Sequence, residues 1–83
     1  MMLAEDVTLT VTEHGAVLLD QRSGRYWQLN RTGCLIVEEL DRTGTIQPAL
    51  DELQQRFPTS ASQVTADAER LVESLVNAKL VTP

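Results

Sequence analysis

The sequence predicts an α+β domain: a three-stranded antiparallel sheet followed by three helices. Three observations carry that prediction. Val7-Thr8-Leu9-Thr10-Val11-Thr12 alternates strictly between two faces, the period of a half-buried strand. Arg25-Tyr26-Trp27-Gln28-Leu29 alternates in the same way and runs straight into Asn30, a helix-capping residue. From residue 31 onward the apolar spacing changes to three and four, the spacing of helices packed on one side.

Residues 1–6 are expected to fray. In Val7–Thr12 every residue except Leu9 is β-branched, so strand propensity and pattern agree. Glu13-His14-Gly15 reads as a turn, and Ala16–Asp20 as a second strand with Val17 and Leu19 facing inward. Gln21-Arg22-Ser23-Gly24 is the next turn, with Gly24 suited to a positive φ. Connections this short favour an antiparallel meander. Exposed edges of such a small sheet, on the third strand or a neighbour, can keep unpaired backbone groups.

Helix 1 is expected over about Arg31 to Leu40, with an apolar stripe of Leu35, Ile36 and Leu40 and Val37 beside it. Gly44 ends it. Thr45 is the expected cap of helix 2, with Pro48 in the first turn, where a missing N–H costs little. Ala49, Leu50, Leu53 and Phe57 recur on one face, and Pro58 stops the element. Ser60 and Gln63 form a capping-box pattern for helix 3, over about Ala61 to Asn77. Val64, Ala68, Leu71 and Leu75 make its stripe, and Val72 and Val76 widen that face enough for a second contact. Leu80-Val81 returns the chain to the core.

Eighty-three residues make one domain, 1–83, whose core relies on aliphatic side chains because only Tyr26, Trp27 and Phe57 are aromatic. A net charge of -5 argues against broad binding to nucleic acid or an anionic membrane. There is no signal-peptide pattern and no apolar run near the roughly 18 residues of a membrane span, so a cytoplasmic protein is the expectation. One cysteine and one histidine, in different elements, give neither a disulfide nor a metal-ligand cluster, and no cofactor is expected. His14 reads as an exposed turn residue. Cys34 falls in the first turn of helix 1 and reads as small, half-buried packing; the alternative is a thiol activated by the helix terminus. The acids Glu38, Glu39, Asp41, Asp51 and Glu52 read as solvated helix faces. Independent catalysis is not expected.

The order of short motifs resembles a known family. Leu29-Asn30-Arg31-Thr32-Gly33 is followed by Leu35-Ile36-Val37-Glu38-Glu39-Leu40-Asp41 and Gly44-Thr45-Ile46. Ala49, Leu50, Leu53, Phe57, Val64, Asp67-Ala68, Leu71-Val72, Leu75 and Lys79-Leu80-Val81 continue it. The pattern is winged-helix-like, and it resembles the PqqD-like precursor-recognition domains of ribosomally made, modified peptides. Each motif is weak alone, and the order and spacing carry the likeness over almost the whole chain. Two positions depart from it: Lys79, where many members have glycine, and Arg42-Thr43, a longer approach to Gly44.

The resemblance implies a non-catalytic adaptor that binds the leader segment of a precursor peptide as an added strand, between the third strand and the third helix. A free-standing chain of this length is most similar to the leader-binding proteins of lasso-peptide pathways. These work beside a separate leader peptidase and a macrolactam-forming cyclase. A peptide chaperone of quinone-cofactor biosynthesis is the alternative within the family, and a winged-helix DNA-binding protein the alternative outside it. Carried onto this chain, the leader-binding residues are Arg25, Tyr26, Trp27 and Gln28 on the strand. On the third helix they are Asp67, Arg70, Leu71, Ser74, Leu75 and Ala78. Trp27, Leu71 and Leu75 have core packing as a competing role, and Asp67 and Arg70 have solvation. Tyr26 lies off the face of Leu29. An added strand presents side chains to both faces, so either face of the strand can border the groove.

Overall fold

The computed structural model describes residues 1–82. Strands β1 (Met2–Leu3), β2 (Val7–Thr12), β3 (Gly15–Asp20) and β4 (Tyr26–Asn30) come first. Helices α1 (Arg31–Thr43), α2 (Gln47–Arg56) and α3 (Ala61–Asn77) follow, with a 3-10 turn at Pro58–Ser60 and a last strand, β5 (Val81–Thr82). The predicted meander is the antiparallel sheet β2-β3-β4, and helices follow it. A second, two-stranded sheet joins β1 to β5, pairing Met2 with Thr82 and Leu3 with Val81. Residues 1–6 therefore do not fray. Ala4 is buried and its N–H donates to the Leu80 carbonyl at 2.8 Å. The predicted return of Leu80-Val81 to the core supplies the partner edge, a contact between chain ends that no local pattern encodes.

Within the main sheet the register runs Leu9–Leu18–Trp27 and Val11–Ala16–Leu29 from strand to strand. These residues share the face that packs on the helices. Ala16 and Leu18 are 2% and 0% exposed, whereas Leu19 is 37% exposed. The inward pair of β3 is thus Ala16 and Leu18, not Val17 and Leu19. The run Ala16–Leu19 is apolar throughout, so alternation within it cannot choose a face, and the neighbouring strands choose it. Gly15 starts β3 where the backbones come close. A Cβ there would lie 1.9 Å from the Leu29 carbonyl oxygen, so no other residue fits.

Asn30 caps α1 as predicted. Its backbone is extended, and its Oδ1 accepts from the Gly33 N–H at 2.8 Å. The helix runs three residues past Leu40. Thr43 Oγ1 donates to the Glu39 carbonyl at 2.7 Å, Arg42 pairs with Glu39, and Gly44 closes the helix at φ 82 with its N–H on the Leu40 carbonyl. Thr45 falls one residue short of the cap of α2: Ile46 occupies that position, although Thr45 Oγ1 accepts the Gln47 N–H at 3.2 Å. No Ser60–Gln63 box forms. The 3-10 turn leaves Ser60 at φ -116, ψ 18, and Gln63 donates to Asp67 Oδ1 at 2.9 Å.

Two apolar clusters fill the interior. One joins Leu18, Val37, Leu40, Leu75 and Leu80; the other joins Ile36, Ala49, Leu50, Leu53 and Ala68. Ile46 and Leu71 pack against both. Helix α3 closes with a Schellman turn, in which the Leu80 N–H reaches the Leu75 carbonyl at 2.9 Å and the Lys79 N–H reaches Val76 at 3.0 Å. Lys79 sits at φ 62, a left-handed backbone that costs a side-chain-bearing residue free energy.

Two stability outcomes follow from these backbones. Lys79→Gly should raise stability by about 0.5–1 kcal/mol, read as a rise of a few degrees in Tm by circular dichroism. Gly15→Ala should lower it by about 2–3 kcal/mol in a urea titration, because the methyl group meets the Leu29 carbonyl.

Candidate functional site

β4 is an edge strand, and hydrogen-bond alternation tells which of its groups are free. The Asp20 N–H donates to the Arg25 carbonyl at 2.9 Å, so Arg25 faces β3. Antiparallel alternation then turns the backbones of Trp27 and Leu29 toward β3 and those of Tyr26 and Gln28 away from it. The side chains alternate too. Trp27 and Leu29 pack toward the core, while Tyr26 is 65% exposed and Gln28 is exposed.

Beside this edge lies a groove of about 430 Å³ between β4, the start of α1 and the first half of α3. Leu29, Ile36, Leu53, Val64, Ala68 and Leu71 form an apolar floor; Gln28, Thr32, Phe57 and Asp67 stand at its polar or exposed margin. The direct passage from β4 into α1 places this wall. Asn30 ends the strand and caps the helix, so no loop lies between them. A surface of this kind, apolar below and bounded by an open strand edge, suits an extended peptide rather than a reaction centre.

The groove brings together three of the expected residues, Gln28, Asp67 and Leu71. Tyr26 adds its outward backbone. Arg25 stacks its guanidinium over the Trp27 ring, 5.0 Å from the centroid. Arg70 is exposed and ion-paired with Asp67, whose Oδ1 also accepts from Gln63. Ser74 is exposed further along α3. Leu75 is 2% exposed and belongs to the core, while Ala78 packs half-buried against it. Sequence reading missed Phe57, 50% exposed at the end of α2, and the contributions of Ile36, Leu53 and Val64. Their periodicity marked them as apolar faces, but the groove depends on where those faces stop covering one another.

Cys34 lies outside this groove, on the far flank of the first turns of α1. Its partner is Glu38, with Sγ 3.6 Å from Oε1, rather than His14, which sits in an exposed turn 4.0 Å from Glu13. Burial, then the charge and hydrogen bond of Glu38, push the thiol above its ordinary pKa. The helix terminus therefore does not activate it. Among the described residues no group of His, Cys, Asp and Glu could hold a metal ion, and no helix is long and apolar enough to cross a membrane.

Comparison with known proteins gives the family. Among solved structures, the chain superposes with a TM-score of 0.83 on "Lasso peptide synthetase B1 complexed with the leader peptide". The two are 33% identical, over 98% of this chain and 95% of that one. It shares the fold of "TbiB1 in Complex with the TbiA(beta) Leader Peptide" at a TM-score of 0.76 and 23% identity, over 96% of this chain and 93% of that one. No curated protein sequence matches significantly. The family model described as "Coenzyme PQQ synthesis protein D (PqqD)" matches residues 15–81. That match begins at the first residue of β3 and runs through all three helices into β5, and it makes the chain a member of the PqqD family.

Proposed function

We propose that this chain is a non-catalytic adaptor for a lasso-peptide pathway. It captures the leader segment of a ribosomally made precursor by adding it as a strand along β4. It then presents the adjoining peptide to a separate leader peptidase and a macrolactam-forming cyclase. The observation that carries this reading is the outward backbone of Tyr26 and Gln28 beside an apolar groove floored by Leu29 and Leu71. Main-chain pairing supplies affinity without reading sequence, and side chains entering the groove supply selectivity. The similar lasso peptide synthetase B1, captured with a leader peptide, supports the same choice of ligand. Its 33% identity also favours the lasso setting over a peptide chaperone of quinone-cofactor synthesis.

Asp67, Arg70 and Ser74 stand at the rim, where a leader's polar side chains would meet them. Trp27, Leu75 and Ala78 act from beneath, by holding β4 and α3 in place. Delivery works by proximity: a bound leader raises the effective concentration of the cleavage site near the enzymes that act on it. A DNA-binding role finds no support on α3, where Asp67, Glu69 and Glu73 outnumber Arg70, itself paired to Asp67.

The test is a fluorescence-anisotropy titration with the labelled leader peptide of a lasso precursor from the same genome. Binding should saturate. Gln28→Pro, which removes an N–H that β3 does not use, should weaken it about tenfold with little change in Tm. Unchanged affinity in Gln28→Pro would rule out strand addition along β4. Unchanged leader cleavage by the peptidase without this protein would rule out the adaptor role.

The raised pKa of Cys34 gives a second check. Its thiolate fraction at neutral pH falls below that of a free cysteine, so reaction with an aromatic disulfide reagent should be slower and should accelerate as pH rises. Glu38→Gln, which removes both the charge and the acceptor strength, should speed the reaction. Cys34→Ser should leave leader affinity within about twofold of the parent, since the residue lies off the groove.

A further inference from the structure

The sheet has a second edge, β2, and its composition is unusual for an exposed strand. Val7–Thr12 carries no charge and no proline, and it pairs with β3 through six consecutive residues without a bulge. Soluble proteins normally blunt such an edge with lysine, proline, a bulge or a covering segment. None of these devices is present on β2. Thr8, Thr10, Val11 and Thr12 are all exposed, Val11 at 59%.

Hydrogen-bond alternation again separates used groups from free ones. The Gln21 N–H donates to the Asp6 carbonyl at 2.9 Å, so Asp6 faces β3, and Thr8, Thr10 and Thr12 follow in phase. Val7, Leu9 and Val11 therefore point their backbones outward. The Val7 N–H is already taken by the Ala4 carbonyl at 3.0 Å. What remains complete and open is the N–H and C=O of Leu9 and of Val11.

We infer that β2 is a self-association edge, at which a second copy of this chain pairs antiparallel about a two-fold axis. The free groups select the register. With Thr10 facing Thr10 of the other copy on the axis, Leu9 pairs with the other copy's Val11 and Val11 with its Leu9. All four groups of each copy are then used, and the outward carbonyl of Val7 lies opposite the other copy's Glu13. The alternative centred on Leu9 leaves the Val11 carbonyl unpaired, because the N–H opposite it on Val7 is occupied.

The side chains fit the same register. On the helix-facing side, Leu9 of one copy lies beside Val11 of the other and covers its exposed surface. On the opposite side, Thr8, Thr10 and Thr12 meet the other copy's Thr12, Thr10 and Thr8, a favourable cross-strand pairing. An isologous contact of this kind closes on itself and gives a six-stranded sheet rather than a filament. The β4 edges lie at its two ends, so each copy keeps its groove.

One strand edge per copy is a contact below the size of stable interfaces, so the dimer should be weak, with a dissociation constant on the order of 0.1 mM. Sedimentation velocity of the full chain from low to near-millimolar concentration should show a monomer–dimer equilibrium. Val11→Lys, at an exposed position, should stay monomeric over that range with an unchanged circular-dichroism spectrum and melt. In a Cys34→Ala background, mild oxidation should cross-link Thr10→Cys into a covalent dimer, because facing residues of a non-hydrogen-bonded pair are close. Thr8→Cys, which faces Thr12 rather than itself, should not cross-link. A wild-type chain that is monomeric throughout, a Val11→Lys dimer, or equal cross-linking of Thr8→Cys and Thr10→Cys would each overturn the inference.

Discussion

The hydrogen bond from the Gly33 N–H to Asn30 Oδ1 fixes the corner on which the rest of the domain is built. Asn30 is at once the last residue of β4 and the cap of α1, so the strand and the helix share one residue and no loop can flex between them. Gly33 packs closely beneath: a Cβ there would lie 3.3 Å from Asn30 Oδ1, so the capping side chain would have to shift by a few tenths of an ångström. From that corner α1 carries Ile36 into one apolar cluster and Val37 and Leu40 into the other. The position of α2 and α3 over the sheet follows from those two contacts. So does the groove, whose strand wall and helical floor meet at the same residue.

The legible parts of the fold were those whose determinants lie close in sequence. The β2 alternation, the Asn30 cap, the Gly44 stop and the stripe of α3 each depend on residues within a few positions of one another. Two of the failures depend on partners distant in sequence, and a third on a local turn. Pairing of β1 with β5 joins opposite ends of the chain. The face of β3 is set by Leu9 and Trp27 on its neighbours, since four successive apolar residues contain no phase of their own. Ser60 has the right residue three positions before Gln63 but the wrong backbone, because the 3-10 turn at Pro58 delivers it already curled.

The groove was legible in part. Alternation placed Tyr26 and Gln28 off the core, helical spacing placed Leu71 on the inner stripe of α3, and the family resemblance added Asp67. Phe57 carried an ordinary core signature, yet it ends α2 half in water, because Pro58 turns the chain away before the residue can be covered. Periodicity reports which side chains prefer burial. It does not report where two buried faces diverge and leave a gap.

Leu71 has a double position whose consequence is evolutionary. It forms part of the groove floor and also packs against both apolar clusters. A change there alters the groove surface and the cohesion of the fold together, so the floor has little freedom to drift. Gln28, Thr32, Phe57 and Asp67 bear on the same groove from its margin and hold no such bridge between the clusters. With the groove as the proposed peptide site, new peptide preferences can accumulate at those positions while the fold is kept. A lineage of such proteins should therefore diversify around the lip of its groove and conserve the bottom.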